Sequence, residues 1–431
     1  MGLKRKVIFN IYISSLPFSH AFSYYNGLIT LTLLISLVML LDIVLASRWK
    51  VSFRLLWYLA PALIFIFYVA LNGLLNAQPY GSYVKHVISY LASPLLFLIV
   101  PMVYIDSFKL KYTINNLMFW ITFMVFFTCL YACCQFIFNN FYGVNLDDFL
   151  YWPTEKISNT MALSSYFRTK GFFAEPGHFA LFLECFIPII FWFFYRKNIA
   201  LSSMLKNIIF LIIVSAFVLT ISAAGFACIT LGAVIALGFN INSWNKYSLM
   251  PKRKSLLILA VVFGVGYYTN DYFSVFDIVY TNSIDKLDSG SSHDRLKRWE
   301  VVMDIVNNMN IIDYIIGHGP NATVSLGYPA ELTILLLFPL LFVELGAIGI
   351  LLFLSIVSVF LFKSVSIHGN VRFYVQASLI SVLLHYVFIS NYWYPYLWFL
   401  GILIYLVRKL EYDNNANNNN QYLNYDTGKG V

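Results

Sequence analysis

Charge is scarce in this chain. Asp, Glu, Lys and Arg make up 11% of its 431 residues, where a soluble domain carries about 25%. That shortage excludes an ordinary water-soluble fold. Cysteine is rare too: Cys129, Cys133, Cys134, Cys185 and Cys228 all sit in apolar runs. Their spacing matches no metal-ligand pattern, so they read as small packing residues and exclude a disulfide framework. No phosphate-binding P-loop is present. No small-residue cleavage site follows the first apolar stretch, which is therefore expected to be a transmembrane helix. "MGLKRK" lacks the Ser or Thr that a myristoylation signal places sixth. Neither a metal nor a cofactor is expected.

What is abundant is apolar surface. The chain is 60% hydrophobic and holds 40 Phe, 31 Tyr and 9 Trp. One aqueous core cannot bury that much, so the fold class expected is an all-α polytopic membrane protein. With about 20 residues needed to cross the hydrocarbon, twelve segments qualify: about 7–23, 27–46, 55–75, 86–105, 114–138, 174–195, 206–221, 224–241, 255–269, 336–362, 373–390 and 394–408. A net charge of +8 ordinarily raises nucleic acid as a partner. Here the basic residues cluster in short loops between apolar runs, so no nucleic acid is expected. With the N-terminus cytoplasmic, nineteen Lys and Arg fall on inner segments and Lys85 alone on the short outer loops. The positive-inside rule then puts both termini in the cytoplasm.

Two outer segments are long, about 139–173 and 270–335, and their aromatic residues and helical patterns suggest ordered structure. Residues 1–412 form the membrane domain, and 413–431, with its "DNNANNNNQ" tract, is expected to be a disordered cytoplasmic tail.

Charged residues gather at three outer places. The first is "RTKGFFAEPGHFALFLECF", residues 168–186. Pro176 suits the first turn of a helix, and Glu175 before it complements the helix dipole. Arg168, Lys170 and Glu175 then stand at the outer mouth of a span, with His178 one turn in and Glu184 about two turns deeper. The plainer alternative makes Glu175 a cap, the cations interfacial anchors and Glu184 the partner of a neighbouring helix. The second is "SSHDRLKRWEVVMDIVNNMNIIDYIIGHGPN", residues 291–321. Leu296, Trp299, Met303 and Val306 recur as one stripe of an amphipathic helix, with Arg295 and Arg298 in its first turn, where an anion would be favoured. The alternative is a solvated face with an Asp294–Arg298 pair. "GHG" then turns tightly and carries His318. The third is "FPLLFVELGAIGILLFL", residues 338–354, with Glu344 beside Gly346 and Gly349. A bend is expected near Pro339. Arginines clamp phosphate in bidentate fashion, so an outer, lipid-level pocket of this kind suits a lipid-linked phosphate.

These residues resemble the O-antigen polymerase and ligase superfamily, especially Wzy-type polymerases. The resemblance rests on "RTKGFFAEPGHFA", "DRLKRW", "IIGHGPN" and "VELGAIG", and on the twelve-span layout with two long outer segments. It implies a GT-C-type fold and a glycosyltransferase that uses no nucleotide sugar and no metal. Donor and acceptor would both be undecaprenyl-diphosphate-linked glycans at the periplasmic side of a bacterial inner membrane, amid membrane lipid, with a chain-length regulator protein as a further partner. It implies that Arg168 and Arg295 hold diphosphate and that Glu175 orients the pocket or assists proton transfer, with His318 the other candidate base. Lys170, His178, Arg298, Trp299 and Glu344 would line the substrate. Tyr142, Tyr151, Trp152, Tyr166 and Phe167 are candidates for stacking on sugar. The ligase branch typically carries a His-Asn pair after the second loop; "GHGPN" separates His318 from Asn321, which favours polymerase and weakens a catalytic role for His318. A ligase of the same superfamily and a flippase for lipid-linked sugars stay open as alternatives.

Overall fold

Ser and Thr mark where several apolar runs turn into helices. The side-chain oxygens of Thr30, Ser52, Thr113 and Ser202 each accept the backbone N–H three residues on. Each satisfies an orphan donor at a helix start. The computed structural model describes residues 2–18, 20–23, 29–46, 51–78, 81–110, 112–150, 162–163, 166–195, 202–244, 290–329 and 332–426.

The helices, in chain order, are α1 (Gly2–Ser15), α2 (Leu31–Leu45), α3 (Phe53–Leu75), α4 (Gly81–Ser107, with a π-type turn at Leu95–Ile99) and α5 (Ile114–Phe141). Strands β1 (Ala162–Leu163) and β2 (Tyr166–Phe167) then pair antiparallel. After them come α6 (Pro176–Phe194), α7 (Ser203–Leu219), α8 (Ala223–Trp244), α9 (Gly290–Asn307), α10 (Ile311–Ile316), α11 (Ala322–Ser325), α12 (Leu337–Val365), α13 (Val371–His385) and α14 (Pro395–Asp426). Among the described residues six helices are long and apolar enough to cross a membrane: α3, α4, α5, α6, α8 and α12. Helices α2, α7 and α13 are apolar but shorter. This is an α-helical membrane protein. Its lipid-facing surface shows in side chains such as Leu74 and Phe67, 77% and 71% exposed, which no aqueous surface would favour.

Several expectations need adjustment. The first segment, 7–23, is helical only to Ser15, and 255–269 lies outside the described residues. In α9 the expected apolar stripe faces outward: Leu296, Trp299 and Met303 are 59%, 45% and 44% exposed. Val301, Val302 and Ile305 are the buried residues instead. The spacing was helical, but the packing partner, α12, lies on the other flank.

The two ends of the bundle are sewn by different residues. At one end Arg5 pairs with Asp42 at 2.8 Å and stacks on Phe108. Asp106 there holds Lys409 at 3.3 Å and the Ser52 N–H at 2.9 Å. At the other end α12 is broken, and not at Pro339. Pro339 sits in the first turn, where its missing N–H does no harm. The break is at Gly346, with φ 64° and ψ −168°. Gly317, φ 77° and ψ 174°, lies against it. Both angles belong to a region essentially reserved for glycine. A Cβ on Gly317 would collide with the Glu344 carbonyl, and one on Gly346 with the Ile315 carbonyl. The carbonyls freed by the break find donors: Val343 takes the His318 N–H, Glu344 the Gly319 N–H, both at 2.9 Å, and Leu345 the Tyr68 hydroxyl at 2.8 Å. A spanning helix tolerates such a gap only when its groups are re-satisfied in this way.

Gly346→Ala is therefore expected to lose at least about 1–3 kcal/mol from backbone strain alone, with the collision added. Thermal unfolding of the detergent-solubilised protein should show a clearly lower midpoint; an unchanged midpoint would mean that the break can be remodelled.

Candidate functional site

The segment around 168 gets its shape from α5. Asn140 straddles Phe167, donating to its carbonyl at 3.0 Å and accepting its N–H at 2.6 Å. Farther up the same helix, Gln135 Oε1 accepts the Thr169 hydroxyl at 2.9 Å and the N–H groups of Lys170 and Gly171 at 3.0 Å each. The Gln135 amide donates to Asp147 Oδ1 at 2.7 Å, and the Tyr131 hydroxyl joins it at 2.9 Å. Asp147 Oδ2 in turn faces Lys170 Nζ at 3.2 Å, in a pair that is almost wholly buried. One glutamine thus reads three consecutive residues of an irregular stretch, which supplies the partners that buried backbone requires.

That scaffold presents Arg168. Its Nε donates to the Thr220 carbonyl at 2.8 Å, and Thr169 N–H is fixed to the Leu219 carbonyl at 3.2 Å. The terminal nitrogens of the half-buried guanidinium make no hydrogen bond among the described residues. Burial pushes the Arg168 guanidinium down to about 10 while the Glu175 carboxylate pulls it back up, so it is cationic at neutral pH. Glu175 is the residue before α6; it is exposed, and its side chain makes no capping bond. It complements the N-terminal end of the helix by charge alone. One turn in, His178 Nδ1 lies 3.0 Å from the Tyr394 hydroxyl. The Asn391 side chain lies near both His178 and Tyr394.

Glu344 forms a second centre. Its Oε1 accepts the Asn321 N–H at 2.7 Å and lies 3.1 Å from His86 Nδ1, and its Oε2 accepts the Tyr90 hydroxyl at 2.8 Å. Asn321 Nδ2 reaches Ser82 at 2.9 Å, and Asn72 Nδ2 holds the Ile316 carbonyl at 2.6 Å. The "GHGPN" turn is thereby clamped onto α3, α4 and α12.

The stretch before α14 joins the centres. Tyr392 stacks on Tyr90 at 4.5 Å and 13°. Two residues on, Tyr394 meets His178 edge-to-face at 5.1 Å. Trp398 fixes the run by donating to the Tyr392 carbonyl at 2.9 Å.

Of the residues singled out in the sequence, Arg168 and His178 each feel the charge of Glu175. The Lys170 ammonium lies against Asp147. Glu344, only 1% exposed, is held by internal donors. His318 stands apart from Arg168 in chain and partner, with its Nδ1 3.8 Å from Asp313. Arg298 donates to the Thr333 carbonyl at 2.7 Å, and the Trp299 indole faces outward. Arg295 lies in the first half of α9, but its side chain is outside the described residues, as are Tyr151, Trp152 and the Tyr166 side chain. Sequence reasoning missed Gln135, His86, Tyr90, Asn391 and Tyr394. The available signal was "SNYWYPY", whose aromatic density just ahead of Pro395 marks a packed turn.

Gln135→Leu should strand two buried N–H groups and remove one of the two neutral donors to Asp147 Oδ1. Each unsatisfied group costs about 1–3 kcal/mol, so a loss of at least about 2 kcal/mol is expected in a thermal melt. Asn140→Ala, whose side chain ties only Phe167 of this segment besides the Phe136 carbonyl of its own helix, should lose less; equal losses would deny Gln135 its central place.

No family model matches the chain, and no curated protein matches it significantly in sequence.

Proposed function

We propose that this chain polymerises undecaprenyl-diphosphate-linked repeat units into an O-antigen or capsule-type polysaccharide, as Wzy-type polymerases do. In this reading it is a twelve-span, GT-C-type glycosyltransferase of a bacterial inner membrane, with both termini cytoplasmic and the site on the periplasmic face. Its partners are the donor and acceptor lipid-linked glycans and a chain-length regulator.

The observation that carries the reading is the state of Arg168. A half-buried guanidinium is anchored through Nε alone, on a segment tied down by Gln135, with its terminal nitrogens unengaged among the described residues. Two parallel N–H donors on a fixed stem match the oxygens of a phosphate. In the transfer step the bond from the donor sugar's anomeric carbon to the diphosphate oxygen breaks, and a bond to the acceptor hydroxyl oxygen forms. Negative charge grows on the departing diphosphate, where a preorganised cation lowers the barrier most. The acceptor proton needs a base nearby. Glu175 shares its surroundings with Arg168, whereas His318 is occupied beside Asp313, which favours Glu175 for that role. His178, whose charge environment includes Glu175, is held by Tyr394.

Arg168→Ala should leave single-repeat glycan on the cell surface while the protein still inserts. Truncating one partner of such a buried charged contact costs about 2–5 kcal/mol, roughly 30- to several-thousand-fold in rate. Glu175→Gln should also shorten the chains, and His318→Gln should do so least. Gel separation of surface glycan reads all three. Long chains unchanged in Arg168→Ala would end the assignment, and polymer accumulating on undecaprenyl in a deletion strain would indicate the ligase instead.

A further inference from the structure

Deep in the bundle, Glu184, Cys228 and His385 meet. They belong to α6, α8 and α13, and are separated by 44 and 157 positions in the sequence. Glu184 and His385 are 0% and 1% exposed, and Cys228 is 1% exposed. Glu184 Oε1 lies 2.6 Å from His385 Nδ1. One carboxylate oxygen, the thiol sulfur and one imidazole nitrogen all fall within 4.8 Å of one another. The second carboxylate oxygen, Glu184 Oε2, is buried with no hydrogen-bond partner.

We propose that these three side chains form an intramembrane binding site for one divalent transition-metal ion, with zinc the best chemical match. Carboxylate, thiolate and imidazole are the donor types zinc takes, and three protein ligands with one open position is a recurrent zinc arrangement. Charge favours the assignment. A lone carboxylate at this depth is costly, and so is an isolated thiolate. A divalent ion with one carboxylate, one thiolate and one neutral imidazole sums to zero, so nothing ionic is left without a counterion. The unpartnered Oε2 gains a role as well. Donor atoms around a tetrahedral zinc lie about 3.3–3.8 Å apart, given bonds of about 2.0–2.3 Å. Glu184 and His385 need to part by under about 1 Å, and the thiol to close by a similar amount.

The backbone is shaped to bring the thiol there. Gly225, Cys228 and Gly232 share one face of α8, at steps of three and four. An added Cβ on Gly225 would come within 2.9 Å of Ala180 and 3.3 Å of Glu184 Oε1. One on Gly232 would collide with Ser381, a turn before His385. The two glycines let α8 press on α6 and α13 with Cys228 between them. The site lies about 9 Å along α6 from His178, at 1.5 Å per residue, so it is separate from the diphosphate pocket and independent of that reading. An ion bound there ties three helices together.

The test uses the full chain in detergent, stripped with chelator and titrated with cobalt(II) chloride. Wild type is expected to bind one ion per chain and show a thiolate-to-cobalt charge-transfer absorption. A variant keeping only Cys228, with Cys129, Cys133, Cys134 and Cys185 changed to Ala, should keep that absorption, and Cys228→Ser should lose it. Zinc chloride should raise the thermal midpoint of wild type and leave that of Cys228→Ser unmoved. Absence of the absorption in folded wild type, or its persistence in Cys228→Ser, overturns the site and leaves Glu184 and His385 as a proton-sharing pair only.

Discussion

A polar group inside an apolar bundle must find a partner, and the Glu344 carboxylate shows how far the fold goes to provide one. Its two oxygens collect a backbone N–H from the turn after α10, a tyrosine hydroxyl and an imidazole from α4. The same residue's carbonyl takes the N–H of Gly319 across the break in α12. Without the gap at Gly346 those carbonyls would be tied up within the helix, and the turn would have nothing to dock against. The charged side chain and the helix break therefore belong to one arrangement, and this end of the bundle is assembled around it.

From that fixed end the aromatic run at 392–396 carries position to the other centre. Tyr392 is held by Tyr90, and Tyr394 by His178. Gln135 performs for the segment at 168 what Glu344 performs for the turn at 317: one polar side chain on a regular helix satisfies several groups of irregular backbone. Regular helices supply rigidity, and irregular stretches held on them are the usual place for a site.

Much of this could be read from the residues in order. The apolar segments announced helices because burying their backbone in lipid leaves little choice, and Pro176 after Glu175 located the start of α6. The break in α12 was misplaced because proline is a visible helix breaker, while the need for glycine at 346 arises from a turn thirty residues earlier pressing on it. The face of α9 was misjudged because a membrane-associated helix has apolar residues on both flanks, and periodicity alone does not name the partner. Cys228 was read as a packing residue for a similar reason. Nothing local connects it to Glu184 and His385, and only the close approach of α8 reveals them as neighbours. The pairing of Lys170 with Asp147 was not legible because Asp147 lies in a short helical turn within what reads as plain loop.

The span between His86 and Glu344, 258 residues, bears on how the protein is made. Ribosomes deliver α4 to the membrane long before α12 exists, so His86 and Tyr90 must wait for their carboxylate through most of synthesis. The N-terminal helices are thus committed to the bilayer in an unfinished arrangement, and the end around Glu344 closes only when the last third of the chain has been inserted.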